Sequence, residues 1–339
     1  MKRVISLDVL RGLTIALMIV ANLPGSWSAV LPMMRHAAWN GFTVADFIFP
    51  SFVFVMGVSM FFSLRKQEFK PNWKILRRFV LLLGVGLGGN AISMLLYSRG
   101  SIRLTGVLVR LALCYGLSAA IICSVKQKAL PWIAGGLLVL YGLVLLLFDG
   151  YVHGPENIVA RIDRAILGQA HLYKDKGVDP EGLLSTIPAV AHTLIGFLMG
   201  KIFASKDFRK MDSWGTALLV AGFLLQWLLP INKKIWSPSF VLVVCGADTL
   251  ILSLLHYLID ETGVWKHTGF LQTFGSNAIF CFLMSDVLAW TFSLTGFQGW
   301  VMRQVGVNQG TSLLFALFCL LLIYLTALPL YRKKIFIKL

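Results

Sequence analysis

The feature that most limits how this chain can fold is a series of apolar runs of about 17 to 22 residues, the length that crosses roughly 30 Å of hydrocarbon. Among the 339 residues, 57% are hydrophobic and 14% are charged. A soluble domain carries about 25% charged residues. The pattern predicts an all-α polytopic membrane protein. Its ten helices fall at roughly 5–23, 47–64, 77–97, 106–125, 130–148, 186–203, 214–230, 239–258, 272–292 and 311–331. After "MKR" comes a long apolar helix without a small-residue cleavage site, which argues against a removed signal. Cys114, Cys123, Cys245, Cys281 and Cys319 all lie inside apolar runs and read as small core hydrophobes, with neither disulfide nor metal-ligand spacing.

The net charge of +16 would suggest nucleic acid in a soluble protein. Here topology explains it. With an even number of crossings both ends share a side, and that side collects most of the cations, including the clusters at 65–78, 201–210 and 332–338. The positive-inside rule then makes both termini cytoplasmic. The stretch 149–185 is too polar to span and becomes an outer loop, with a short helical pattern at Ile158, Ile162, Ala165 and Ile166 and a turn at Asp179-Pro180. No linker or second soluble domain is visible, so residues 1–339 read as one transmembrane domain.

The segment "RHAAWNGFTVADFIFP", Arg35 to Pro50, gathers His36, Trp39, Asn40 and Asp46 at the outer mouth of the second helix. Histidine is the natural general base near neutral pH. A histidine and a tryptophan at this depth also suit a membrane interface, and Trp39 and Phe49 read as interface anchors. Asp46 fits a favourable charge at a helix N-terminus. Asn22, at the end of helix one, is either a C-terminal cap before Pro24 or a hydrogen-bond donor to a developing oxyanion. Together the four polar residues surround one outer hairpin. Asp8 and Arg11 share a face of helix one and can pair, or Arg11 can meet a phosphate. "DPEGLLST" reads as a turn with Ser185 or Thr186 as a cap, or as a loop that contacts an acceptor. Asn90, His192, Asp248, His256, Asn277 and Asp286 are polar residues inside spans, either functional or knitting helices together. Walker, GxSxG, HExxH and dinucleotide motifs are absent, and no metal site is expected.

The segments "SLDVLRGLTIALMIVANLPGSWS", "RHAAWNGFTVADFIFPSFVFVMGVS", "DPEGLLSTIPAV", "LIGFLMGK", "NKKIWSPSFVL" and "GSNAIFCFL" extend over nearly the whole chain. In them it resembles the transmembrane acyltransferases related to lysosomal heparan-α-glucosaminide N-acetyltransferase. Bacterial members often carry the label of an N-acetylglucosamine-related membrane protein. HxxWNGxTxADxxFP is the specific block; LDxxRG alone is weak. The resemblance implies transfer of acetyl from cytosolic acetyl-CoA, a cosubstrate, to an amino sugar across a bacterial inner membrane. It puts the catalytic histidine on His36, its asparagine on Asn22 and its aspartate on Asp46. Arg11 and Asn40 are the expected donor contacts. Expected partners are an amino-sugar acceptor, free or at a glycan end, and membrane lipids, with room for a homodimer and no role for nucleic acid. The other reading is an amino-sugar or N-acetylglucosamine transporter, which predicts inverted repeats and helices broken near mid-membrane.

Overall fold

A computed structural model describes residues 4–98, 100–173 and 177–337. Lys2, Arg3, Arg99, Lys174, Lys176 and Lys338, which enter the charge bias, lie outside the described residues. The described residues form α-helices and short helical turns, without strands. The helices are α1 (Ile5–Asn22), α2 (Val44–Arg65), α3 (Trp73–Leu96), α4 (Val107–Ser124), α5 (Leu130–Leu147), α6 (Ile158–Leu167), α7 (Thr186–Ser205), α8 (Phe208–Leu225), α9 (Pro238–Leu255), α10 (Gly269–Ser276), α11 (Ala278–Thr295), α12 (Phe297–Val305) and α13 (Gln309–Arg332).

Nine described helices are long and apolar enough to cross a membrane. The expected span 214–230 departs from this. Its helix, α8, begins earlier, after an Asp207 cap that accepts from Lys210 N. Arg209, Lys210 and Asp212 in its opening turns leave a shorter apolar remainder. The expected helix 272–292 is also divided. Asn277 separates α10 from α11, and its side chain bonds Ile335 O at 3.1 Å and Ile337 N at 2.8 Å. The C-terminal segment thus takes up the polar groups of the break, and α11 is itself long enough to span.

Backbone packing divides the chain into two interleaved units. The first comprises Met1–Ala37, Thr43–Phe52 and Ile251–Leu339. Its core is formed by Ile15, Ile19, Phe274, Cys281, Phe315, Cys319 and Ile323. Two glycines set the closest helix contact there. A Cβ on Gly12 would lie 1.9 Å from Leu271 O, and one on Gly275 1.8 Å from Asp8 O. Glycine is therefore required at both positions for α1 and α10 to touch backbone to backbone. At this end of α1, Ser6 N also reaches Asp260 Oδ2 at 3.2 Å. The start of α1 and residues 335–337 thus both adjoin the 260–277 stretch. At the other end, Gly25 N donates to Ser312 O at 3.0 Å, and Gln298 Nε2 to Pro24 O at 2.6 Å.

The second unit comprises Ala38–Phe42 and Val53–Leu250. Here the polar loop 149–185 is ordered by buried polar contacts. Its expected helix is α6, capped by Asn157, whose side chain accepts from Val159 N at 2.8 Å. The Asp179 carboxylate bonds Arg103 at 2.7 Å, Thr105 Oγ1 at 2.5 Å and Tyr173 N at 2.7 Å. Burial opposes its ionisation, but the charge and hydrogen bond of Arg103 hold it below the usual carboxylate range. Asn90 reaches from α3 to Arg103 O and Thr105 O, so its role is to knit this loop to the helices.

Candidate active site

The site is built from the turn that starts α2. Thr43 precedes the helix, and the two residues cap it reciprocally. Asp46 Oδ2 accepts from Thr43 N at 3.2 Å and Thr43 Oγ1 at 3.0 Å, while Asp46 N donates to Thr43 O at 3.1 Å. The same oxygen accepts from Ala37 N at 3.0 Å. These bonds fold the chain back so that His36 faces the second carboxylate oxygen, Nδ1 to Oδ1 at 2.9 Å. Asp46 is therefore both the helix cap and the partner of His36, one oxygen for each role.

The burial of the pair is asymmetric. The side chain of Asp46 is 2% exposed and that of His36 52% exposed. A carboxylate only accepts hydrogen bonds. The Nδ1 contact therefore selects the tautomer with the proton on Nδ1 and the lone pair on Nε2. A fixed, buried carboxylate behind a solvent-facing imidazole is the arrangement that orients a general base.

Asn22 is the last residue of α1, exposed, and makes no hydrogen bond to His36 or Asp46 among the described residues. It shares the hairpin end with the pair through chain connectivity: it closes the helix before the hairpin, and Asp46 opens the helix after it. Arg11 lies eleven positions back along the same helix, about 16 Å away at 1.5 Å per residue. Its Nη1 donates to Asp8 Oδ1 at 3.1 Å and Gly275 O at 3.2 Å. The pairing reading of "LDVLRG" is thus realised. Asp8, Arg11 and Gly12 all serve the contact with α10.

In the second unit the hairpin tip is held at several points. Trp39 Nε1 donates to Tyr151 O at 2.8 Å, and its ring stacks on His153 at 4.2 Å with 8° between the planes. Gly41 N donates to Ile231 O at 2.9 Å. Asn40 Oδ1 accepts from Asn232 Nδ2 at 3.0 Å. Trp39 is therefore a structural clamp, and Phe49 is buried. Both are taken by protein neighbours, which the apolar context of the sequence could not reveal.

One further expectation changes, that for Ser185. Ser185 precedes α7 without a side-chain cap bond. Its hydroxyl instead receives Arg110 Nη2 at 2.7 Å, while the same guanidinium bonds Gly182 O at 2.7 Å and Ser185 O at 3.1 Å. Arg110, the lone arginine of the apolar run "VLVRLALCYG", is fully buried in α4 and organises "DPEGLLST". His192 is fully buried in α7 beside Trp236, with ring centroids 6.0 Å apart. His256 pairs with Asp260 at 3.2 Å.

Asp163 of α6 lies under the same turn. It is fully buried and accepts from Leu184 N at 3.1 Å. Burial pushes its pKa up to about 6. Gly182 backs directly onto it, since a Cβ there would lie 1.7 Å from Asp163 Oδ2.

Comparisons with known proteins converge on one family. The family model described as heparan-alpha-glucosaminide N-acetyltransferase, catalytic, matches residues 3–231. The human protein named heparan-alpha-glucosaminide N-acetyltransferase is 29% identical over 412 aligned residues, covering 99% of this chain. The mouse protein of the same name is 28% identical over 405, covering 98%. The chain spans 60% of the length of each of these relatives. The matched region holds the hairpin with His36 and Asp46 and the 149–185 loop. The chain belongs to the heparan-alpha-glucosaminide N-acetyltransferase catalytic family.

Proposed function

We propose that this protein is a membrane-embedded N-acetyltransferase. It takes acetyl from acetyl-CoA on the cytoplasmic side and delivers it to the amino group of a glucosamine-type sugar at the outer face. The observation that carries this reading is the His36–Asp46 pair, with Nδ1 held at 2.9 Å by a buried carboxylate. The name of the relatives supplies the acceptor class, an α-glucosaminide.

The reaction needs little from the protein. The sugar amine attacks the thioester carbonyl carbon, the C–S bond breaks, and the thiolate leaves, taking back from His36 the one proton that the amine gives up. His36 Nε2 takes the proton from the amine, and Asp46 stabilises the imidazolium that results. Asn22, at the hairpin end of α1, donates to the carbonyl oxygen as charge builds there. With both termini cytoplasmic, the anionic nucleotide of the donor suits a cytoplasmic cation such as Arg11 or those of the 65–78 segment. In this reading the two units form one catalytic domain in a bacterial inner membrane.

A transporter would place broken helices near mid-membrane. The break at Asn277 instead adjoins residues 335–337 beyond the end of α13, and α11 spans without it. That geometry supports the enzyme. The test is transfer of label from acetyl-CoA to glucosamine by purified protein. Wild type should transfer and His36→Ala should not. A wild type that transfers nothing, or a variant that transfers undiminished, contradicts the proposal.

A further inference from the structure

Asp46 Oδ2 is bonded more heavily than helix capping requires. In a capping box the hydroxyl before the helix accepts from the backbone N–H three residues on, and the side chain there accepts in return from the first residue's N–H. Both bonds are present at the start of α2. Asp46 N donates to Thr43 Oγ1 at 3.4 Å, and Thr43 N donates to Asp46 Oδ2 at 3.2 Å. Two more donors then converge on the same oxygen: Thr43 Oγ1 at 3.0 Å and Ala37 N at 3.0 Å. Ala37 is the neighbour of His36 in the chain. With three donors on Oδ2, Oδ1 is turned to His36 Nδ1 at 2.9 Å.

Of the three donors, the Thr43 hydroxyl alone depends on which side chain is present; the other two are backbone amides. A cap needs only an acceptor at position 43, which serine, threonine, asparagine and aspartate all supply. The bond to Oδ2 asks for more, because a hydroxyl both accepts from Asp46 N and donates to the carboxylate. The terminal torsion of an aspartate is broad, so its own rotamer preference does not hold Oδ1 on the imidazole. The donors on Oδ2 do. Hydrogen bonds to a charged group are the stronger kind, and an Asp46 side chain only 2% exposed leaves little water to replace a lost donor.

We propose that Thr43 is a positioning residue for His36 and acts through Asp46. Its hydroxyl pins Oδ2, which keeps Oδ1 on Nδ1 and the imidazole lone pair on Nε2. This rests on the acetyltransferase reading above and deepens it. His36, Ala37, Thr43 and Asp46 all belong to the first unit. Thr43 touches neither substrate in this account. The start of α2 serves the base as well as the helix.

The experiment compares Thr43→Val, which keeps the shape and removes the hydroxyl, with Thr43→Ser, which keeps the hydroxyl. Thr43→Val is also made in the Asp46→Asn background. Each purified full-length protein is assayed for steady-state acetyl transfer from acetyl-CoA to glucosamine and for thermal unfolding in detergent. Loss of one hydrogen bond to a charged group corresponds to about 12- to 160-fold. Thr43→Val should lower kcat by a factor in that range, with both KM values within about threefold of wild type. Thr43→Ser should stay within about threefold in kcat. In the Asp46→Asn background Thr43→Val should cost no more than about threefold, because the carboxylate it orients is gone. A cap alone would give a different pattern: the amide oxygen of Asp46→Asn still accepts the hydroxyl, so the loss would be the same factor in both backgrounds. That equal loss overturns the inference, as does a Thr43→Val enzyme within threefold of wild type or a Thr43→Ser enzyme as slow as Thr43→Val. Each of these results leaves the acetyltransferase reading standing, whereas absence of transfer by wild type overturns both. If Thr43→Val does not fold, Thr43→Gly, which costs a helix start little, carries the same predictions.

Discussion

Replacing Asp46 with asparagine isolates what the carboxylate does for His36. The Oδ2 position accepts from Ala37 N, Thr43 N and Thr43 Oγ1. In Asp46→Asn the amide oxygen must occupy that position, because an NH₂ there would meet three donors. The NH₂ then faces His36 Nδ1 at the site of the present 2.9 Å contact. It would donate to Nδ1, and the imidazole proton would move to Nε2, where the lone pair is needed. The variant therefore keeps its fold and holds the wrong tautomer. General-base catalysis contributes about 10²–10⁴ in rate, so kcat should fall by that range, about 3–5 kcal/mol at 1.36 kcal/mol per tenfold. Stability should fall by only about 1 kcal/mol, from the lost charge at the helix N-terminus. The assay is steady-state acetyl transfer by wild type, Asp46→Asn, His36→Ala and the double variant, alongside thermal unfolding in detergent. Because Asp46 acts through His36, the double variant should match His36→Ala within about threefold. An Asp46→Asn enzyme within threefold of wild type refutes the tautomer argument. So does a full additive loss in the double variant.

Other outcomes follow from the packing and the outer loop. Gly12→Ala places a methyl group 1.9 Å from Leu271 O; it should lower the unfolding temperature and the yield of folded protein, and an unchanged melting profile would contradict the α1–α10 contact. Arg103→Ala leaves the fully buried Asp179 without its cation, which should cost about 3–5 kcal/mol of stability by thermal unfolding. Asp163 has its pKa raised to about 6 from the ordinary 3.8. Its protonated form is favoured in the folded protein, so the stability it contributes is present below about pH 4 and lost as pH rises through 6. Asp163→Asn should then be more stable than wild type at pH 7.5, by up to about 3 kcal/mol for a two-unit shift, and the difference should vanish near pH 4.

The helical architecture was legible because hydropathy over 17 to 22 residues is a property of the chain itself. It failed where polar side chains decide the outcome. The Asn277 break depends on a C-terminal segment 58 residues away supplying its hydrogen bonds. The start of α8 depends on the Asp207 cap, which sits in a charged stretch that hydropathy assigns to a loop. At the site, the clustering of His36 and Asp46 was visible from spacing, but the division of labour between the two carboxylate oxygens was not. Asp46 could be read as a cap or as a partner of His36, and only the fold of residues 37–43 lets it be both. Asn40 was legible as polar; its orientation depends on Asn232, 192 residues later. Arg110 was visible only as a charge, since its partners are main-chain carbonyls and the Ser185 hydroxyl of a loop 70 to 75 residues away.

In this reading the amino sugar receives its acetyl group beside His36, on one face of the membrane, from a donor supplied on the other. Sealed proteoliposomes of one orientation test it most directly, with labelled acetyl-CoA confined to the compartment facing the termini and glucosamine confined to the other. Wild type should give labelled N-acetylglucosamine in the glucosamine compartment, and His36→Ala none above background. Product in the acetyl-CoA compartment, or equal product from both proteins, would contradict it.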